Sequence, residues 1–137
     1  MKTFKLVALL TLFVSTPLMA NECVILLHGL ARSDSSMKTM AVELTNAGYT
    51  AINYDYPSTQ HPVAKLADDA ISEALSMCPE QSTVHFVTHS MGGILVRQYL
   101  SQQSIENLGR VVMLVPPNQG SEVVDALHNI PGYELIN

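Results

Sequence analysis

Residues 83–101 read TVHFVTHSMGGILVRQYLS, and this stretch decides the fold. Thr83 to Thr88 is strand-like, and Met91 to Ser101 follows as a helix. Between them lies Thr88-His89-Ser90-Met91-Gly92-Gly93, a strand-to-helix turn built around one serine. A serine hydroxyl is a weak nucleophile unless it is exposed to substrate and held beside a base. A sharp turn between strand and helix gives the exposure. It also crowds the backbone, which Gly92, two residues after Ser90, relieves. Met91 begins the helix, so its N–H faces the turn, and a helix N-terminus favours developing negative charge. The competing reading of Ser90 is a purely structural Ser-Gly turn.

Working outward, the chain alternates apolar runs with amphipathic stretches. Cys23 to Leu27 (CVILL) reads as a strand buried on both faces. Met37, Met40, Ala41, Leu44 and Ala47 keep helical spacing, with N-cap candidates from Ser33 to Ser36 and Gly48 at the end. Tyr49 to Tyr54 is a second strand. Pro62 suits the first turn of a helix whose apolar stripe is Val63, Leu66, Ala67, Ala70, Ile71, Ala74 and Leu75. Gly109 is expected to close a turn before a fourth strand, Arg110 to Val115, which Pro116-Pro117 stops. Ser121 to His128 reads as a short helix. This order implies an α/β fold, with a parallel sheet of about four strands flanked by helices and joined by right-handed crossovers. Binding sites in such sheets lie beyond the carboxyl ends of the strands. Three loops leave those ends: His28 to Ser33, Asp55 to Pro62 and His89 to Gly93.

Composition bounds the function. The chain has 137 residues, enough for one domain, and is 47% hydrophobic, so it can build a core. Its formal net charge is -5, and it has no run of Lys or Arg, which argues against a nucleic-acid partner. Lys2 and Lys5, the apolar run Leu6 to Val14, and Ala20 read as a secretory signal peptide over residues 1–20. An uncleaved anchor is the alternative, although the run is short of the ~20 residues that span a bilayer, so no stable membrane span is expected. Export leads to the periplasm or the exterior of a bacterium. There the two cysteines, Cys23 and Cys78, are expected to pair, the alternative being two buried thiols. Cys23 starts a strand and Cys78 ends a helix running back, so both lie at the sheet end opposite the three loops.

Taken together, LLHGLAR (26–32), DYPS (55–58), HSMGG (89–93), Arg97-Gln98 and PPNQGSE (116–122) resemble a group of small bacterial α/β-hydrolases of the lipase and esterase type. The resemblance covers nearly all of residues 21–137. It implies a partial α/β-hydrolase fold: the N-terminal part of the domain, with later strands, the catalytic acid and the histidine following. It implies ester hydrolysis through an acyl-enzyme on Ser90, with the N–H groups of Leu30 and Met91 as the oxyanion hole. The partner would be a small-molecule or lipid ester, and no cofactor is implied. Thr88 departs from the family's G-x-S-x-G, placing a larger residue where the first Gly stands.

The order serine, acid, histidine is met by Asp125 and His128. They lie three residues apart on one short helix, however, where side chains one turn apart rarely serve such a relay, and a solvated helix face is the competing reading. His28 is expected to orient the oxyanion turn, and His89 to point away from the site as a packing and hydrogen-bonding residue. Asp55 is expected to contact substrate or cap its own loop. His61 and His85 have no zinc-site spacing, so no metal is expected. The alternative to a working esterase is a truncated, inactive remnant or a hydrolase-like binding module.

Overall fold

The computed structural model describes residues 21–120; the leader-like segment and the helix carrying Asp125 and His128 lie outside the described residues. Four strands form one parallel sheet: β1 (Glu22–Leu27), β2 (Thr50–Tyr54), β3 (Thr83–His89) and β4 (Leu108–Leu114). Their order is β2-β1-β3-β4. Three helices connect them: α1 (Lys38–Asn46), α2 (Val63–Ser76) and α3 (Met91–Gln102). The expected α/β fold with a four-stranded parallel sheet is therefore observed.

Alternation along the strands sorts side chains to two faces. Cys23, Ile25 and Leu27 of β1, with Val84 and Phe86 of β3, pack against Leu66, Ile71 and Ala74 of α2 and Leu95 and Val96 of α3. Val24 and Leu26 face the other way, toward Met37, Ala41 and Leu44. Hence α2 and α3 cover one face and α1 the other. The chain steps from β1 outward to β2, then returns across β1 to β3 and β4. The carboxyl ends of β1 and β3 thus flank the point where the strand order reverses. In sheets of this kind that point is where binding sites form.

Local details follow from residue chemistry. A 3-10 turn at Asp34–Met37 leads into α1, and Gly48 leaves the helix at φ +97, where a side chain would be strained. Cys23 and Cys78 form a disulfide with Cα atoms 5.8 Å apart, at the end of the sheet away from the three loops. Gly109 does not close a turn: it lies inside β4. The reason is the neighbouring strand. A Cβ at Gly109 would stand 2.3 Å from the His85 ring, whose Nδ1 accepts the Arg110 N–H at 2.9 Å. The glycine admits that ring, and the β3–β4 register shifts between Val84 and Phe86. β4 ends one residue earlier than expected, because Val115 turns at φ +49.

Candidate active site

The ladder between β3 and β4 runs to the last possible residue: the Ser90 N–H donates to the Leu114 carbonyl at 2.9 Å. Ser90 itself adopts φ +50 and ψ -113, and α3 starts at the next residue. Few side chains tolerate that conformation, which costs about 1–3 kcal/mol and persists only where packing enforces it. The enforcement comes from β1. A Cβ on Gly92 would stand 2.7 Å from the Leu27 carbonyl oxygen and 2.9 Å from the Leu27 Cβ. Helix α3 therefore sits against the end of β1 at a distance only glycine permits. Thr88 is wholly buried, and Gly93 makes its room: a Cβ there would lie 3.2 Å from the Thr88 hydroxyl. The larger residue at the first position of the elbow is thus accommodated by the second glycine after the serine.

The turn after β1 meets this elbow directly. A Cβ on Gly29 would fall 3.5 Å from the Ser90 Cβ and 2.7 Å from His89 Nδ1. Ser90, Met91 and the Leu30 turn are thus brought to one place from two distant parts of the chain. Within the turn, the Arg32 N–H donates to the Gly29 carbonyl, and the Ala31 N–H donates to the Ser58 hydroxyl. The Leu30 N–H has no such bond among the described residues. Met91 is the first residue of α3, so its N–H has no partner within the helix.

His28 is fully buried beneath the turn. Its Nδ1 lies 2.8 Å from the Gly29 carbonyl, which can only accept, so this nitrogen carries the hydrogen. Its Nε2 lies 3.3 Å from the Tyr56 N and 3.1 Å from Asp55 Oδ1. One nitrogen serves one of these at a time: with a lone pair it accepts from Tyr56, and protonated it donates to Asp55. Asp55 Oδ1 also accepts the Asp34 N–H at 3.2 Å, so this carboxylate caps the 3-10 turn. The loop after β2 supports the turn after β1, and Asp55, expected to contact substrate or cap its own loop, instead reaches Asp34 and His28.

An apolar groove of about 630 Å³ opens beside the elbow on the α1 face, lined by Met37, Met40, His89 and Leu114, with Arg32 and Glu43. His89 lines this groove. A smaller, more polar hollow of about 390 Å³ lies between Arg32, Asp55 and Ser58. Arg32 touches both and forms no ion pair among the described residues. No histidine nitrogen or carboxylate hydrogen-bonds to the Ser90 hydroxyl among the described residues, and Asp125 and His128 lie outside them. Among the same residues, no group of His, Cys, Asp and Glu could hold a metal ion, and no helix is long and apolar enough to cross a membrane.

No family model matches the chain, and no curated protein matches it in sequence. Solved structures do match. One is an extracellular α/β-hydrolase from a Paenibacillus species, described as sharing structural and functional homology with tobacco salicylic acid binding protein 2. The TM-score is 0.56 at 18% identity, and the match covers 67% of this chain. This likeness shows an α/β-hydrolase-like fold. The chain matches only 39% of the length of that hydrolase.

Proposed function

We propose that this chain is the nucleophile-bearing part of an exported serine hydrolase of the lipase or esterase type, cleaving carboxylic esters through an acyl-enzyme. Ser90 attacks the ester carbonyl, and the N–H groups of Leu30 and Met91 receive the oxygen as it becomes negative. The observation that carries this reading is the backbone of Ser90, held at φ +50 between β3 and α3 and packed against the turn that contains Leu30. The hollow around Arg32 and Asp55, which borders the turn that contains Leu30, suits the polar side of an ester. The disulfide and the signal-like start support an oxidising destination, the periplasm or the exterior.

Attack by serine needs a base, and without one most of the rate is lost. Asp125 and His128 have the required chain order. The second reading is a hydrolase-like module that binds without turnover. Hydrolysis of a short-chain chromogenic ester by the purified chain, with Ser90→Ala as control, separates the two. Turnover that vanishes in the control supports the enzyme, and equal inertness of two folded proteins supports the module.

A further inference from the structure

The loop after β2 bonds the turn after β1 on either side of the Gly29–Leu30 peptide, whose own carbonyl accepts from His28 Nδ1 and the Arg32 N–H. The Tyr56 hydroxyl donates to the His28 carbonyl at 2.5 Å. The Tyr56 ring stacks on the His28 imidazole, with centroids 4.1 Å apart and planes 13° apart. The Ser58 hydroxyl accepts the Ala31 N–H at 3.0 Å. Both Tyr56 and Ser58 are 4% exposed, although they sit in a loop, where side chains of this kind ordinarily face water. Burial also pushes the Tyr56 hydroxyl well above its usual range, which keeps it a neutral donor.

Ala31 is the strained residue of the turn, at φ +52. A non-glycine residue stays there only where bonds over-determine it, and Ser58 supplies one from outside the turn. The consequence is selective. Leu30 and Ala31 present adjacent N–H groups, and the Ser58 hydroxyl occupies the second while the first has no partner among the described residues.

We infer that Tyr56 and Ser58 are positioning residues: they hold the turn so that the Leu30 N–H, and not the Ala31 N–H, is presented to a carbonyl oxygen on Ser90. This inference rests on the proposed role of Ser90. Tyr56 fixes the peptide that enters the turn, and Ser58 fixes the one that leaves Leu30. Neither residue contacts the reacting atoms. An oxyanion exists only once attack has begun, so a loosened turn lowers the rate of acylation and leaves the binding of the ester nearly unchanged.

The test uses the full chain, with Ser58→Ala, Ser58→Thr and Tyr56→Phe beside wild type. One readout is amide hydrogen exchange over residues 28–32. The other is the rate at which a fluorophosphonate phosphonylates Ser90, followed by intact mass at several reagent concentrations. Ser58→Ala is expected to speed exchange at Ala31 at least tenfold. It is also expected to slow phosphonylation at saturation by roughly tenfold to a hundredfold, as small misplacements of reacting groups do, with half-saturation unchanged. Ser58→Thr, which keeps the hydroxyl, is expected to restore both readouts, and Tyr56→Phe to slow phosphonylation in the same sense. The inference is overturned if Ser58→Ala leaves the saturating rate within twofold of wild type, or if only half-saturation moves. A wild type that exchanges slowly at Ala31 yet is never labelled at Ser90 removes the proposed role of Ser90, and the inference with it. A labelled wild type with an indifferent Ser58→Ala removes the inference alone.

Discussion

Gly92 meets the carbonyl of Leu27 so closely that a Cβ on the glycine would stand 2.7 Å from that oxygen. The obstacle is backbone at the end of a central strand, so it cannot rotate away. Gly92→Ala should therefore destabilise the protein by about 1–3 kcal/mol, the usual cost of overpacking. Gly93→Ala meets only the side chains of Thr88 and Met113, at 3.2 Å and 3.3 Å, and should cost less. Urea unfolding of the two variants checks the ranking, and the reverse order would mean that α3 does not rest on β1 as described.

Thr88 is completely buried, and its hydroxyl has no hydrogen-bond partner among the described residues. An unsatisfied buried polar group costs about 1–3 kcal/mol, and an apolar residue of the same shape removes that cost. Thr88→Val should leave stability unchanged or raise it by up to about 1 kcal/mol. A clear loss in the same urea titration would show that the hydroxyl is bonded after all.

The Cys23–Cys78 bridge closes a sequence separation of 55 residues. In the chain-entropy account a loop of that size stabilises by about 4 kcal/mol. Replacing both cysteines with alanine should lower the unfolding free energy by roughly 2–4 kcal/mol. Because the bridge lies at the far end of the sheet, Ser90 labelling measured below the melting transition should change little. Thermal melts with and without a reductant give the same comparison for the unmutated chain.

Two tyrosines predict an alkaline limit. Tyr54 is raised from 10.0 to about 12, first by burial and then by its hydrogen bond to Glu73. Tyr56 is raised further, by burial alone. A tyrosine that ionises at a higher pH when folded holds its proton while the unfolded chain releases it. The unfolded state then binds fewer protons, and stability falls as pH rises. The contribution is complete below about pH 10 and is lost above it. Denaturant midpoints from pH 8 to 11.5 should show this fall, and Tyr56→Phe should make it shallower, although its overall stability is lower at neutral pH. A variant with an undiminished slope would place the sensitivity elsewhere.

Much of the fold was legible in the chain, because strand and helix periodicities are local. CVILL announced β1, the stripe from Val63 to Leu75 announced α2, and THSMGG announced the elbow. The misreadings were local rules overruled by neighbours. Gly109 looked like a turn residue, yet it lies in a strand because the ring of His85, twenty-four residues earlier, needs its missing side chain. Thr88, larger than the glycine usual at that place, finds its room against Gly93.

The sequence by itself determined which residues have the chemistry and which elements carry them: a serine on a strand-to-helix turn, an HG turn after the first strand, and two cysteines at the sheet end opposite the loops. Only the tertiary structure decided that Gly29 rests against Ser90, and that Tyr56 and Ser58 clamp the turn between them. The physical reason is separation. Ser58 bonds to a peptide twenty-seven residues away, and Tyr56 to one twenty-eight away, across two strands that become neighbours only when the sheet assembles. No periodicity or composition along the chain encodes a bond of that kind.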